Sequence, residues 1–166
     1  MNIIIGNIIA LIASILMVYS GIIKKKEKIV YIQTVQIMMS VLSNVVLGGK
    51  TGAIINALNC LRNILYSKNK LHKKERIIII ILAIILSLSF NNLGLIGILP
   101  LISTIAYTML MNIKDIRKFK LLNIFTMTMW LIYDISIKSY TAAIFDFLNI
   151  IANFIAIYQI SRKEHS

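Results

Sequence analysis

Asparagine recurs along one face of a helix predicted near residue 60. Asn56, Asn59 and Asn63 fall within a stripe about 60° wide, because each residue of a helix turns the chain by about 100°. An amide side chain both donates and accepts hydrogen bonds, so the stripe suits the hydroxyl, carbonyl or carboxylate groups of a small polar solute. The same spacing recurs later in the chain at Asp146, Asn149 and Asn153.

The two stripes have two interpretations. A polar side chain inside a membrane usually faces the interior of a helix bundle or a water-filled cavity, which favours a solute path lined by both stripes. Alternatively, the amides join neighbouring helices, each contributing about 0.6–2 kcal/mol. We prefer the solute path, because the stripes occupy corresponding positions in the two halves of the chain.

Two acids also lie within apolar segments. Asp146 continues the second stripe and is either a buried proton carrier or an ionised acid at the headgroup boundary. Asp134 lies near the end of the preceding segment, and Asn44 occupies the matching position in the first half. We therefore include Asn44 and Asp134 among the predicted path residues.

Three further residues have alternative roles. Arg62 interrupts the third apolar segment and is expected to extend toward the lipid headgroups; the alternative is a cavity-facing contact to an anion or an ion pair with an acid. Trp130 either forms a wall of the pocket or packs between helices. Pro100, the only proline, is expected to kink its helix, as a hinge or as a static bend.

Other chemistry is not indicated by the sequence. It contains no metal-binding spacing of His or Cys, no phosphate-binding glycine loop and no nucleophile motif. We therefore expect no metal, no cofactor and no enzyme activity.

The composition is typical of a membrane protein. The chain is 58% hydrophobic and 14% charged, against about 45–50% and 25% in soluble proteins. A net charge of +12 would favour nucleic acid as a partner of a soluble protein, but the basic residues here cluster between apolar segments. The expected partners are the lipid bilayer and an unknown small polar solute, without nucleic acid; the oligomeric state stays open.

The distribution of charge predicts the topology. Fifteen of the 18 basic residues lie in alternate breaks between apolar segments and in the C-terminal tail, and such residues are retained on the cytoplasmic side. We therefore predict a multi-pass membrane protein with its N-terminus outside and its C-terminus cytoplasmic. The seven predicted spans are 3–23, 29–47, 51–66, 77–90, 95–113, 120–137 and 141–160.

The chain also contains an internal repeat. Asn44, Asn56, Asn59 and Asn63 each lie ninety residues before another Asn or Asp. A single linker helix between the halves gives both the same orientation across the membrane, as in one class of transporter. The predicted fold is all-α integral membrane, with two parallel triple-helix bundles joined by a linker helix. The predicted divisions are 1–66 (first bundle), 67–94 (cytoplasmic loop and linker helix four), 95–160 (second bundle) and 161–166 (cytoplasmic tail).

Two family resemblances follow from these motifs. The segment TGAIINALNCLRN, residues 51–63, and its echo YTAAIFDFLN, residues 140–149, resemble the YgjV family of bacterial inner-membrane proteins. The segments 100–114 and 130–133 are similar to that family as well, so the likeness covers nearly the whole chain. The repeat is also similar to the SWEET and PQ-loop transporters, whose two triple-helix bundles enclose a solute path.

The SWEET resemblance implies roles for particular residues. In that family an Asn on helix three and another on helix seven hold the solute; the matching pairs here are Asn59 with Asn149, or Asn63 with Asn153. The chain departs from the family in lacking its proline set and a Pro-Gln pair, which argues against the same hinge mechanism. We expect a transporter-like protein, with a non-transporting scaffold or partner-binding protein as the alternative.

Overall fold

Helices account for nearly all of the chain. A computed structural model describes residues 2–164, and the side chains of residues 3–162. In that range there are seven α-helices, one 3-10 helix and no strand, which confirms the predicted all-helical class. The helices are α1 (Asn2–Ile22), α2 (Lys26–Leu47), α3 (Lys50–Ser67), α4 (Lys73–Phe90), α5 (Leu99–Leu110), α6 (Ile116–Ser136) and α7 (Tyr140–Glu164).

The helix bounds differ from the apolar segments at their polar edges. As expected, α3 and α4 extend beyond their apolar segments into flanking lysines, so each has 18 residues and a length of about 27 Å. α7 continues through most of the predicted tail, whose residues 165–166 lie outside the described residues. Three helices are long and apolar enough to cross a membrane, within Ile3–Ile22, Lys26–Leu47 and Tyr140–Arg162; Ile96–Leu110 is a shorter apolar helix.

The predicted kink at Pro100 is wrong. The apolar segment 95–113 is not one helix, because a 3-10 turn, Ile96–Ile98, precedes α5. Pro100 therefore lies in the first turn of α5. An N–H group in a first turn has no intrahelical partner, so proline starts this helix without removing a hydrogen bond.

Six helices form a closed ring. α1 packs against α2 and α7, α2 against α3, α3 against α5, α5 against α6, and α6 against α7, while α4 lies outside the ring against α3 and α5. We call the end that carries the loops 23–25, 68–72 and 111–115 the basic end, and the end that carries 48–49 and 137–139 the opposite end.

Two matching turns connect helices at the opposite end. Gly48 and Lys138 both have positive φ, 77° and 61°. In the first turn the Gly49 N–H donates to the Asn44 carbonyl at 2.8 Å, and in the second the Ser139 N–H donates to the Asp134 carbonyl at 2.9 Å. These turns lie ninety residues apart and therefore hold Asn44 and Asp134 at equivalent places.

The ring has a polar interior and an apolar exterior. Buried polar side chains are about as numerous as buried apolar ones, whereas large side chains such as Ile4, Val45 and Ile144 are more than 60% exposed. In water this distribution would leave a large apolar surface in unfavourable contact with the solvent. It is the distribution expected of helices surrounded by lipid.

Contacts between the two halves of the chain occur at the basic end of the ring. An apolar cluster lies there, and two lysines bridge the halves: Lys26 Nζ donates to the Ile113 carbonyl at 3.0 Å, and Lys120 Nζ to the Gly21 carbonyl. Lys120 is fully buried, and its charge lies at the C-terminal end of α1, where a cation is favoured. The cluster comprises Ile29, Val30, Leu71, Ile79, Tyr107, Met111, Phe119 and Leu122.

Candidate functional site: a polar cavity inside the ring

A cavity of about 70 Å³ lies within the ring and is lined by all six of its helices. At about 10–15 Å³ per water centre, this volume holds about five waters. Of the predicted path residues, those that line it are Asn44, Asn56, Asn59, Trp130, Asp134 and Asp146, together with Arg62. Asn63, Asn149, Asn153 and Pro100 do not.

The three residues of the α3 stripe have different surroundings: two line the cavity and one does not. Asn56 is buried and lines the cavity with no hydrogen bond to any described residue. Asn59 also lines it, and its Oδ1 accepts a hydrogen bond from Thr104 on α5 at 3.1 Å. Asn63 is fully buried beside the cavity and accepts from Arg62. Asn56 is therefore the stripe residue whose amide is most available to a solute.

Arg62 turns inward, so the expected extension toward headgroups is wrong. Its side chain is 3% exposed, and its guanidinium carbon lies 4.3 Å from the centre of the Tyr107 ring. Nη1 donates to Asn59 Oδ1 at 2.9 Å and to Thr108 Oγ1 at 3.4 Å, while Nε and Nη2 donate to Asn63 Oδ1 at 3.1 and 2.9 Å. These internal acceptors and the aromatic ring replace the headgroup contacts.

Two carboxyl groups meet on the α6–α7 side of the cavity. Asp134 and Asp146 are close enough for their charges to interact, and both are more than 90% buried. Asp146 Oδ2 and Asn44 Oδ1 are buried without a partner among the described residues. Because two adjacent carboxylates repel each other, the pair is suited to share a proton or to hold a cation.

The rest of the α7 stripe faces α1 instead of the cavity. Asn149 Nδ2 donates to the Met17 carbonyl at 2.6 Å, and Asn153 Nδ2 donates to Asn149 Oδ1 at 2.7 Å. Gly21 permits this approach, since a Cβ there would lie 3.2 Å from Asn149 Nδ2. Asn149 therefore joins α7 to α1, which was the alternative interpretation of the stripes, whereas Asn153 bonds only within α7.

Trp130 combines both of its expected roles. It lines the cavity, and its ring also packs edge-on against Tyr133, with centroids 5.7 Å apart. The Tyr133 hydroxyl accepts a hydrogen bond from the Gly52 N–H at 2.9 Å. Trp130 thus belongs to a wall that connects α6 to the start of α3.

The sequence analysis missed the contribution of α2. Its polar lining residues follow intervals of three, four and three residues, which place them on one helical face and could have revealed it. They are Gln33, Gln36, Ser40 and Ser43. Tyr107 on α5 was also missed; its hydroxyl donates to Gln33 Oε1 at 2.7 Å, and no spacing in the sequence indicates that contact.

Polar side chains lie inside and apolar side chains outside, the reverse of a soluble protein, so families of membrane proteins are the relevant comparison. A family model for bacterial inner membrane proteins, Imp-YgjV, matches residues 4–164. The chain belongs to this family. The resemblance drawn from residues 51–63 and 140–149 is thereby confirmed, and with it the bacterial inner membrane as the location.

Other comparisons add no relative. No curated protein and no solved structure matches the chain, so the likeness to SWEET and PQ-loop transporters stays a prediction. Among the described residues, no group of three His, Cys, Asp or Glu side chains could hold a metal ion.

Proposed function

We propose that this inner membrane protein passes a small polar solute through the cavity inside its ring of helices. The observation that carries the proposal is a cavity lined by polar side chains from six helices in a family of membrane proteins. Asn56 lines this open space without a hydrogen bond to any described residue, so its amide is available to a solute. The proposed role is transport and includes no catalytic step.

The proposed architecture has seven membrane spans in two parallel bundles, α1–α3 and α5–α7, linked by α4. Exchange of α1 with α5, α2 with α6 and α3 with α7 converts each helix contact of the ring into another contact of the ring. The matching turns at Gly48 and Lys138 follow the same exchange. Both observations support a parallel repeat with its solute site at the interface.

In the proposed orientation the N-terminus is outside, and the cavity is accessible from the outside. Its lining reaches Asn44 and Ser139 near the opposite end, while the apolar cluster and the Lys26 and Lys120 bonds lie at the basic end. Rocking of one bundle against the other would break these lysine bonds and open the cytoplasmic side.

The acid pair supports a proton-coupled version of this function. Asp134 and Asp146 share one wall of the cavity, and Asp146 Oδ2 lacks a partner among the described residues. A proton carried by the pair would cross with the solute, since rearrangement of the bundles moves both to the other side.

The test is solute flux through the purified protein in liposomes. After an osmotic step, the rate of re-swelling with ribitol, glycine or sodium lactate measures entry of each compound. We expect at least one to enter faster than into empty liposomes. Asn56→Leu should slow that entry at least about tenfold while leaving the melting temperature nearly unchanged, because Asn56 has no protein partner to lose.

Asn149→Leu is the matched variant. Asn149 does not line the cavity and bonds to the Met17 carbonyl, so its loss should lower the melting temperature while the folded fraction still transports. Entry no faster than into empty liposomes for all three compounds would reject transport. The protein would then be a scaffold or partner-binding protein, a function favoured by the bond with which Asn149 joins α7 to α1.

A further inference from the structure

Arg62 is a buried cation without an acidic partner. Its hydrogen-bond acceptors are the neutral oxygens of Asn59, Asn63 and Thr108, and no ion pair to it occurs among the described residues. Isolated charge is costly in a buried site unless it is paired. The side chain also lines the cavity, so a counter-charge could reach it from there.

The acid pair is placed too far away to supply that counter-charge directly. Arg62 lies 12 residues from the start of α3, whereas Asp146 lies six residues from the start of α7 and Asp134 two from the end of α6. At 1.5 Å per residue, the axial separation from Arg62 is about 9–15 Å. The cavity therefore has a cationic region deep in the ring and an acidic region nearer the opposite end.

The guanidinium keeps one N–H group that no described residue accepts. The Tyr107 ring covers one face at 4.3 Å, and contacts to described residues use four of the five N–H groups. Asn59 and Asn63 hold the group in place, so little side-chain freedom is lost on binding. The remaining N–H can donate one charge-assisted hydrogen bond to an oxyanion, and the positive charge favours an anion over a neutral solute.

We propose that the transported solute is a small monocarboxylate, or a molecule carrying one carboxylate, bound at Arg62. This inference rests on the proposed transport function and names its substrate class. One carboxylate balances the single charge of Arg62, whereas a doubly charged sulfate or phosphate would leave a buried negative charge uncompensated. A volume of about five waters fits a solute of about five to seven non-hydrogen atoms.

Binding to the full-length protein in detergent tests the proposal. Sodium lactate, glycine, ribitol, sodium sulfate and sodium chloride are titrated at constant ionic strength, with affinity measured by calorimetry. Lactate or glycine should bind, and Arg62→Gln should weaken that binding by at least about tenfold, since a charge-assisted bond is lost. Arg162→Gln removes one positive charge from an exposed part of α7 and should leave the affinity unchanged.

Arg62→Lys tests the role of Arg62 in carboxylate binding if Arg62→Gln does not fold. Lysine keeps the charge but cannot keep all the hydrogen bonds to Asn59, Asn63 and Thr108 that position the guanidinium, so the affinity should lie between those of the wild type and no binding. Unchanged carboxylate affinity in either Arg62 variant would overturn the proposal, as would equal binding of sulfate or chloride. Binding and flux of ribitol alone would overturn the carboxylate site while leaving transport intact, whereas no binding and no flux of any compound would reject both.

Discussion

At the scale of single residues, a polar side chain in a membrane helix does not by itself show whether it lines a binding site or joins two helices. Asn56 and Asn149 lie on comparable stripes in the sequence, yet Asn56 lines the cavity and Asn149 bonds to α1. The difference arises from neighbours on other helices: Gly21 leaves room for Asn149 beside α1. An amide's role in a membrane therefore depends on what lies across from it.

A glycine at the start of α3 has an equally specific neighbourhood. A Cβ on Gly52 would lie 2.8 Å from both Asn44 Oδ1 and Tyr133 Cε1. Gly52→Ala should therefore push α3 away from α6, break the Gly52–Tyr133 hydrogen bond and destabilise the protein by about 1–3 kcal/mol. Unfolding by denaturant in detergent would measure the change.

Gly21→Ala is the graded comparison for that substitution. A Cβ at Gly21 would meet Ala152 Cβ and Asn149 Nδ2 at 3.2 Å, a tighter than usual but not overlapping distance. Its destabilisation should be smaller than that of Gly52→Ala. The opposite order would contradict the packing described at the α3–α6 contact.

At the scale of helices, the position of a residue within its helix decides its effect. Pro100 was expected to bend a long helix, but the preceding 3-10 turn shortens α5 to 12 residues and places the proline in its first turn. The sequence could not indicate this break, because residues 95–99 are apolar apart from Gly97 and continue the hydrophobic pattern.

Substitution of this proline tests its position. Pro100→Ala should change the free energy of unfolding by less than about 1 kcal/mol, because no interior hydrogen bond is at stake. Ala106→Pro, in the middle of the same helix, should cost about 3 kcal/mol or more. Thermal unfolding of both variants in the same detergent gives the comparison, and a large loss for Pro100→Ala would show that the proline has a further role.

At the scale of the whole molecule, orientation follows from charge and can be measured directly. In a Cys60→Ser background, cysteines are introduced at the exposed positions Lys50 and Lys70, which lie at the opposite and basic ends. In intact spheroplasts an impermeant thiol reagent should modify Lys50→Cys, whereas Lys70→Cys should react only after permeabilisation, because basic loops are retained in the cytoplasm. The reverse pattern would invert the proposed topology.

Several properties of this protein follow from the sequence alone. The excess of apolar residues determines the membrane class, and the runs between charged breaks locate seven helices to within a few residues at most ends. The residues 51–63 and 140–149 indicate the family that the comparison confirms. These properties depend on composition or on short segments. A helix in lipid satisfies its backbone hydrogen bonds within itself, so its formation does not depend on distant parts of the chain.

Other properties were decided only by tertiary structure. The inward turn of Arg62, the meeting of Asp134 with Asp146 and the division of the Asn stripes all depend on which helices are neighbours. Each polar side chain has several low-energy directions on its own helix, and only a partner from a distant part of the chain selects one. That selection places the polar cavity inside the ring, because polar groups excluded from lipid must find hydrogen bonds there.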